Sequence, residues 1–214
     1  MKYICVTATS SISFSFNKIK LVQLPKSIGL IAPVQFINTL PKLKQFLESH
    51  GKNVMIGGNG QVLGCNTTNA TSLQDKVQAF LYIGSGKFHP LAIAISLKKP
   101  KPIFVYNPNT DEFSRLNEKE IRSVLAKKRT AKIKFLSAKT IGILVSTKPG
   151  QNKLKEAEEI KRKLQKQGKK CYIFLFDNFD INQIENFPKT ECWINSACPG
   201  LSMEHPFIWI DDIK

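Results

Sequence analysis

Short unbroken apolar runs alternate along this chain with segments of helical periodicity that close on glycine, and no other feature constrains its fold as much. Ile28-Gly29-Leu30-Ile31-Ala32-Pro33-Val34 is such a run, of the kind found in a strand buried on both faces of a parallel sheet. Asn38 then offers an N-cap, and Leu40, Leu43, Phe46 and Leu47 recur at helical spacing until Gly51 stops the helix. Lys52-Asn53-Val54-Met55-Ile56-Gly57 reads as the next strand, which completes a βαβ unit. Ala79-Phe80-Leu81-Tyr82-Ile83-Gly84 is another strand, followed by the tight loop Ser85-Gly86-Lys87-Phe88-His89-Pro90 and a helix through Leu97. Pro90 suits a first helical turn, where its missing N–H costs nothing. Pro102-Ile103-Phe104-Val105-Tyr106-Asn107-Pro108 supplies the following strand. This order predicts a mostly parallel sheet with right-handed crossovers.

A polar helix from about Asn117 to Ser137 reads as a solvent-exposed connector, after which the order restarts. Thr140–Ser146 is a strand, and Asn152–Gln167 is an amphipathic helix with Leu154, Ala157, Ile160 and Leu164 on one face and Gly168 at its end. Cys171–Phe176 reads as a strand, Ile181–Phe187 as a short helix, Glu191–Asn195 as a third strand and Pro206–Ile210 as a last one. Ile28-Gly29-Leu30-Ile31 matches Ile141-Gly142-Ile143-Leu144, and His50-Gly51-Lys52 matches Gln167-Gly168-Lys169. Duplication would produce these matches, and so would strand–helix–glycine architecture by itself. The expected fold class is α/β, with two similar domains, each a mostly parallel sheet flanked by helices.

A length of 214 residues with 42% hydrophobic content suffices for one large or two small α/β domains. No stretch approaches the roughly 20 apolar residues that span a bilayer. Thr and Ser follow Tyr3-Ile4-Cys5-Val6, where a signal peptide would continue apolar, so a cytoplasmic protein without a membrane partner is expected. Five cysteines without a Cys-x-x-Cys pair argue against a disulfide framework and for reduced thiols. The 32 Lys and Arg against 16 Asp and Glu give a net charge of +16, which favours acidic partners such as nucleic acid. Aromatics do not interleave with the basic groups at Lys98–Lys101, Lys127–Arg129 and Lys161–Lys170 as a stacking platform requires. A Lys-rich solvated surface accounts for the same charge, so nucleic acid is a secondary partner.

Two cysteines stand apart. Cys65, in Gly60-Gln61-Val62-Leu63-Gly64-Cys65-Asn66, and Cys198, in Asn195-Ser196-Ala197-Cys198-Pro199-Gly200, each fall where a strand gives way to a loop, the edge at which open α/β sheets hold ligands. A free cysteine is commonly a small buried apolar residue. A polar, glycine-rich loop ending in Asn66-Thr67-Thr68-Asn69 is a poor place to bury one, and the same holds beside Pro199 and Gly200. Both are therefore candidate ligands of one centre. Cys171 and Cys192 fall inside apolar strands and read as core, as does Cys5. The Gly84-Ser85-Gly86 loop is either a bare strand-to-helix turn or an anion cradle at a helix N-terminus, with Lys87 adding charge. His89 is either a general base or substrate contact or a simple cap of the turn. His50 and His205 have no partner pattern. A zinc site is a weaker reading, since Cys192 and Cys198 have no second close pair.

Three of these stretches, in this order, resemble the diphthamide-biosynthesis radical enzymes, the 2-(3-amino-3-carboxypropyl)histidine synthases. Gly60-Gln61-Val62-Leu63-Gly64-Cys65 is similar to the family's second-cysteine motif, Ile83-Gly84-Ser85-Gly86-Lys87-Phe88-His89-Pro90-Leu91 to its central signature, and Asn195-Ser196-Ala197-Cys198-Pro199 to its third-cysteine motif. The resemblance covers nearly the whole chain and the last two of the family's three α/β domains. It implies residues 1–17 as the remnant or exit strand of the first domain, 18–137 as the second domain with Cys65, and 138–214 as the third with Cys198. It also implies a 4Fe-4S cluster held by one cysteine per domain, whose open iron binds S-adenosylmethionine. In the family, electron transfer from that cluster releases a 3-amino-3-carboxypropyl radical, which adds to a histidine of translation elongation factor 2. For this chain the resemblance implies Cys65 and Cys198 as metal ligands and Gly84, Ser85, Gly86, Lys87 and His89 as the S-adenosylmethionine loop. The remaining ligand is then expected from a separately encoded first domain or a homologous subunit. Gly200 stands where the family often has Arg, which puts substrate handling in question. The competing expectation is a non-catalytic basic module or supporting subunit that docks the elongation factor or RNA.

Overall fold

The computed structural model describes residues 6–11 and 15–213. Cys5 and most of the apolar start that suggested an exit strand lie outside them, and the described part of residues 1–17 contains no strand. The chain forms two compact units, residues 1–121 and 122–214. The division falls inside the helix Glu118–Ser137 rather than at residue 137. The physical reason is packing: Ile121 joins the core of the first unit and Ala131 that of the second.

In the first unit, 3-10 turns at Phe16–Lys18 and Leu21–Gln23 lead into β1 (Ser27–Ala32). A 3-10 helix, Val34–Thr39, precedes α1 (Leu40–Ser49), so Asn38 lies within a helical turn and Thr39 takes the N-cap position, with Pro41 at the start of the helix. Next come β2 (Asn53–Gln61), the short α2 (Thr68–Thr71), β3 (Ala79–Ile83), α3 (Phe88–Ser96) and β4 (Ile103–Asn107). The sheet order is β2-β1-β3-β4-β5, parallel except for β5 (Glu112–Arg115), which pairs antiparallel with β4. Alternation along the central strands divides the core. Ile28, Leu30, Leu81 and Ile83 meet Leu40, Leu43 and Leu47 of α1 on one face, and Ile31, Phe80 and Tyr82 meet Ala70 of α2 and Ile93 of α3 on the other.

In the second unit, α4 (Glu118–Ser137) leads into β6 (Thr140–Ser146), α5 (Leu154–Lys166), β7 (Lys170–Phe176), a 3-10 helix (Ile181–Asn186), β8 (Cys192–Asn195), α6 (Pro199–Glu204) and β9 (Ile208–Trp209). This sheet is parallel, in the order β7-β6-β8-β9. Ala157, Ile160 and Leu164 of α5 pack with Ile141, Ile143 and Ile194 on one face. Leu144, Trp193 and Phe207 form an aromatic layer on the other, with Phe174, Phe176 and Phe179 against it.

The two units repeat one packing device. A Cβ on Gly29 of β1 would meet the Phe80 ring at 2.7 Å, and a Cβ on Gly142 of β6 would meet the Trp193 ring at 2.4 Å. In each sheet the glycine pairs in register with that aromatic on the neighbouring strand. Among the described residues no helix is long and apolar enough to cross a membrane.

Candidate functional site

In both sheets the first strand is central and its successors lie on opposite sides, so chain order reverses between β1 and β3 and again between β6 and β8. Crevices beyond the carboxyl ends of strands at such switch points are where open α/β sheets bind ligands. The loop after β3 is Gly84-Ser85-Gly86-Lys87, and the loop after β8 is Ser196-Ala197-Cys198. The pattern of apolar runs placed both motifs correctly at these edges.

Cys65 lies in a turn beyond the end of β2. β2 continues past its apolar part through Gly57, Gly58 and Gly60, and a Cβ on Gly57 would lie 2.0 Å from the Asn69 carbonyl oxygen, which is why this stretch is glycine-rich. The Asn69 amide donates to the Gln61 carbonyl at 2.9 Å and to Asn59 Oδ1 at 3.0 Å, fastening the strand end. Val62 is buried and donates its N–H to the Ala32 carbonyl at 2.9 Å. Leu63 and Asn66 then exchange main-chain hydrogen bonds of 2.9 and 3.1 Å, which leaves Gly64 and Cys65 at the tip of a tight turn. The thiol is exposed. Gly64 lies under the ring of Phe88, whose Cζ is only 2.0 Å from where a Cβ would stand. The Cys65 turn is therefore seated on the first residue of α3, and two of the sequence motifs are in direct contact.

Within the loop after β3, Gly86 has φ +71° with open space around it, a conformation that favours glycine. The first turn of α3 has no side-chain cap, and Pro90 contributes no N–H, so the Phe88 and His89 amides are its donors to any anion. Lys87 is already engaged: its Nζ donates to Glu120 Oε1 at 2.6 Å. The partly exposed ion pair ties the loop to the start of α4, and such pairs are worth about 0–1 kcal/mol. His89 Nδ1 lies 3.3 Å from Tyr82 Oη, the ring tautomer deciding which group donates. Burial pushes the Tyr82 phenol up and the His89 imidazolium down, so both members of the pair are held neutral. Tyr82 and Glu120 escaped the sequence reading because one lies within an apolar strand and the other is distant in sequence.

In the second unit a buried polar frame fixes the loop of Cys198. The Asn195 amide donates to the Cys198 carbonyl at 2.6 Å and to Ser202 Oγ at 2.9 Å, and its Oδ1 accepts from the Ala197 N–H at 3.0 Å. Ser196 donates its hydroxyl to the Leu144 carbonyl at 2.8 Å. Cys198 is the N-cap of α6, with Pro199 in the first turn and Gly200 next, and its side chain is half-buried. Cys171 and Cys192 lie in the core, where burial raises the first thiol and pushes the second up to about 11. Thus the two motif cysteines are accessible and the two strand cysteines are not. Among the described residues no three His, Cys, Asp or Glu side chains gather as a metal site.

The family model described as "Putative diphthamide synthesis protein" matches residues 1–208. The chain belongs to this family. It is 33% identical over 213 residues to the 2-(3-amino-3-carboxypropyl)histidine synthase of Pyrococcus horikoshii, covering 95% of this chain and 58% of that protein. It is 27% identical over 212 residues to subunit 1 of the Caenorhabditis elegans synthase, covering 95% and 52%. The crystal structure of Dph2 from P. horikoshii with a 4Fe-4S cluster matches with a TM-score of 0.72 at 32% identity, over 91% of this chain and 58% of that one. A second crystal structure of Dph2 from P. horikoshii matches at 0.73, over 92% and 60%. The chain thus spans a little over half the length of these relatives.

Proposed function

We propose that this chain is a subunit of an S-adenosylmethionine-dependent enzyme that transfers a 3-amino-3-carboxypropyl group to a histidine of translation elongation factor 2, the first step of diphthamide formation. The observation that carries the reading is selective exposure: the cysteines of the two family motifs present their thiols from loops at strand ends, while Cys171 and Cys192 are sealed in the core. Soft thiolates on loops suit an iron–sulfur cluster, and the Dph2 relative carries one. Cys65 and Cys198 would serve as two of its ligands. We propose that a further ligand is supplied by a first domain of the family type or by a homologous subunit. When bound, the cluster supplies the electron that cleaves the sulfonium bond.

The chain's own residues divide the remaining work. The Gly84–Gly86 loop and the Phe88 and His89 amides receive the carboxylate of S-adenosylmethionine. Lys87, held by Glu120, fixes the loop. His89 is kept neutral, and the tautomer that donates its Nδ1 proton to Tyr82 Oη leaves Nε2 free to accept a proton. Anaerobic co-expression with a polypeptide bearing a single loop cysteine should give a brown complex with equal iron and sulfide, and Cys65→Ala or Cys198→Ala should each abolish the colour. An iron-free complex, or a cluster that survives both substitutions, refutes the assignment.

The net charge of +16 favours a second reading, a basic docking module for the elongation factor or RNA without cluster chemistry. There, Cys65→Ala and Cys198→Ala leave binding intact and affinity falls steeply with salt. A salt-insensitive complex would exclude it.

A further inference from the structure

One stretch of the second unit reverses the charge of the rest of the chain. Between Lys170 and Lys189 the chain carries Asp177, Asp180 and Glu185 and no Lys or Arg, within a protein of net charge +16. Among the described residues none of these three carboxylates is in an ion pair, and Lys148 reaches the same loop through Asn178 Oδ1 at 2.7 Å. The same stretch holds four of the nine exposed large hydrophobic side chains of the described residues: Tyr172, Leu175, Ile181 and Phe187. Scattered exposed apolar residues are ordinary, but their concentration in one short stretch around an end strand marks an interaction site.

The backbone there is also open. β7 is the end strand of its sheet. The Lys170 N–H donates to the Lys139 carbonyl and the Phe176 carbonyl accepts from Thr147, so the even-numbered residues of β7 turn their main-chain groups toward β6. By the alternation of a parallel ladder, Cys171, Ile173 and Leu175 turn theirs to the open edge. Beside that edge lies a cleft of about 240 Å³ lined by Phe174, Phe176, Phe179, Phe187 and Trp193, with Asp180 at its rim. Ring contacts of 4.6 Å between Phe174 and Phe187 and 4.9 Å between Phe174 and Trp193 hold its walls.

We propose that the β7 edge and this cleft form a docking surface for an extended polypeptide segment in which apolar residues alternate with Lys or Arg. The segment adds to β7 as a further strand, its main chain meeting the open groups of Cys171, Ile173 and Leu175. Its apolar side chains enter the aromatic cleft, and its net positive charge is complementary to Asp177, Asp180 and Glu185. The occupant's charge is the discriminating feature. Long-range attraction to a +16 molecule favours an acidic segment everywhere else, so a preference for a basic one has to originate on this face. The proposal does not depend on the iron–sulfur reading.

The test uses the full chain and two short end-capped peptides, one alternating Val and Ile with Lys, the other with Glu in place of every Lys. Fluorescence anisotropy at physiological salt should show the Lys peptide binding at least about tenfold more tightly, with the amides of β7 protected from hydrogen exchange in the complex. Leu175→Lys, a change at an exposed site, should abolish that binding while leaving the tryptophan fluorescence of the free protein unchanged. The triple substitution Asp177→Asn, Asp180→Asn, Glu185→Gln should erase the preference for Lys over Glu. Equal or tighter binding of the Glu peptide, or protection that appears elsewhere, overturns the proposal. So does sedimentation showing that Leu175→Lys turns a dimer into a monomer, since a second copy would then be the occupant.

Discussion

Placing a methyl group on Gly64 tests whether the cysteine turn and the loop after β3 form one packed body. In Gly64→Ala the new Cβ would stand 2.0 Å from Phe88 Cζ and 2.2 Å from Cε1. An ordinary carbon contact needs about 3.5 Å, so the ring or the turn has to move by about 1.5 Å. Overpacking of this kind costs about 1–3 kcal/mol, and because Phe88 is only half-buried the lower half of that range applies. With a urea dependence of about 1.5 kcal/mol per molar, the midpoint of the first unit should fall by about 1 M. Trp193 and Trp209 both belong to the second unit, so tryptophan fluorescence serves as an internal control and should report an unchanged transition. The first unit is followed by pulsed hydrogen exchange across the urea titration, on peptides covering β1 and β3. Phe88→Leu removes the obstructing ring, so in the double variant the cost of Gly64→Ala should shrink by about 1 kcal/mol or more. Strictly additive costs, or a Gly64→Ala protein as stable as the parent, would show that the two motifs do not touch.

Asn195→Ala strands the buried Ser202 hydroxyl, the Cys198 carbonyl and the Ala197 N–H, and should lower the stability of the second unit by about 3 kcal/mol, read from tryptophan fluorescence. Native-state alkylation followed by peptide mapping should label Cys65 and Cys198 quickly and Cys171 and Cys192 only on unfolding, since burial withholds the thiolate from the latter pair. The exposed Glu191 accepts from the Thr140 and Lys139 backbone N–H groups, which hold its carboxyl below the ordinary glutamate range. A depressed carboxylate stabilises the fold above its unfolded pKa and loses that contribution as pH falls through the folded value. The stability difference between the parent and Glu191→Gln should therefore be present near neutrality and vanish in strong acid, as urea titrations at several pH values would show.

The parallel strands were legible because burial on both faces demands continuous apolar runs, as in Ile28–Ala32 and Ile141–Val145. β5 was not, since it is an antiparallel edge strand with charged ends at Glu112 and Arg115 and a single inward ring, Phe113 stacked 5.7 Å from Phe104. The extension of β2 through Gly57, Gly58 and Gly60 was hidden for the opposite reason, that close approach of Asn69 at the first two and of Leu40 at the third forbids the side chains by which a strand is recognised. Asn38 looked like a cap, but the 3-10 helix Val34–Thr39 carries the chain into α1 without a break, a matter of local geometry that residue type does not reveal. At the site, the motif residues were found and their partners were not. The hydrogen bond between Tyr82 and His89, the tie from Lys87 to Glu120 and the seat of Gly64 on Phe88 all join residues by folding rather than by spacing.

The main chain around Cys198 is fastened on both sides, by Asn195 at the carbonyl and by the proline that opens α6. What remains to its sulfur is rotation about one Cα–Cβ bond, with three staggered positions to choose from. The Cys65 turn is held differently, by two main-chain hydrogen bonds at its neck and by Gly64 packed under the Phe88 ring. The two sulfurs therefore owe their placement to different devices, a polar frame in one unit and a glycine–aromatic contact in the other.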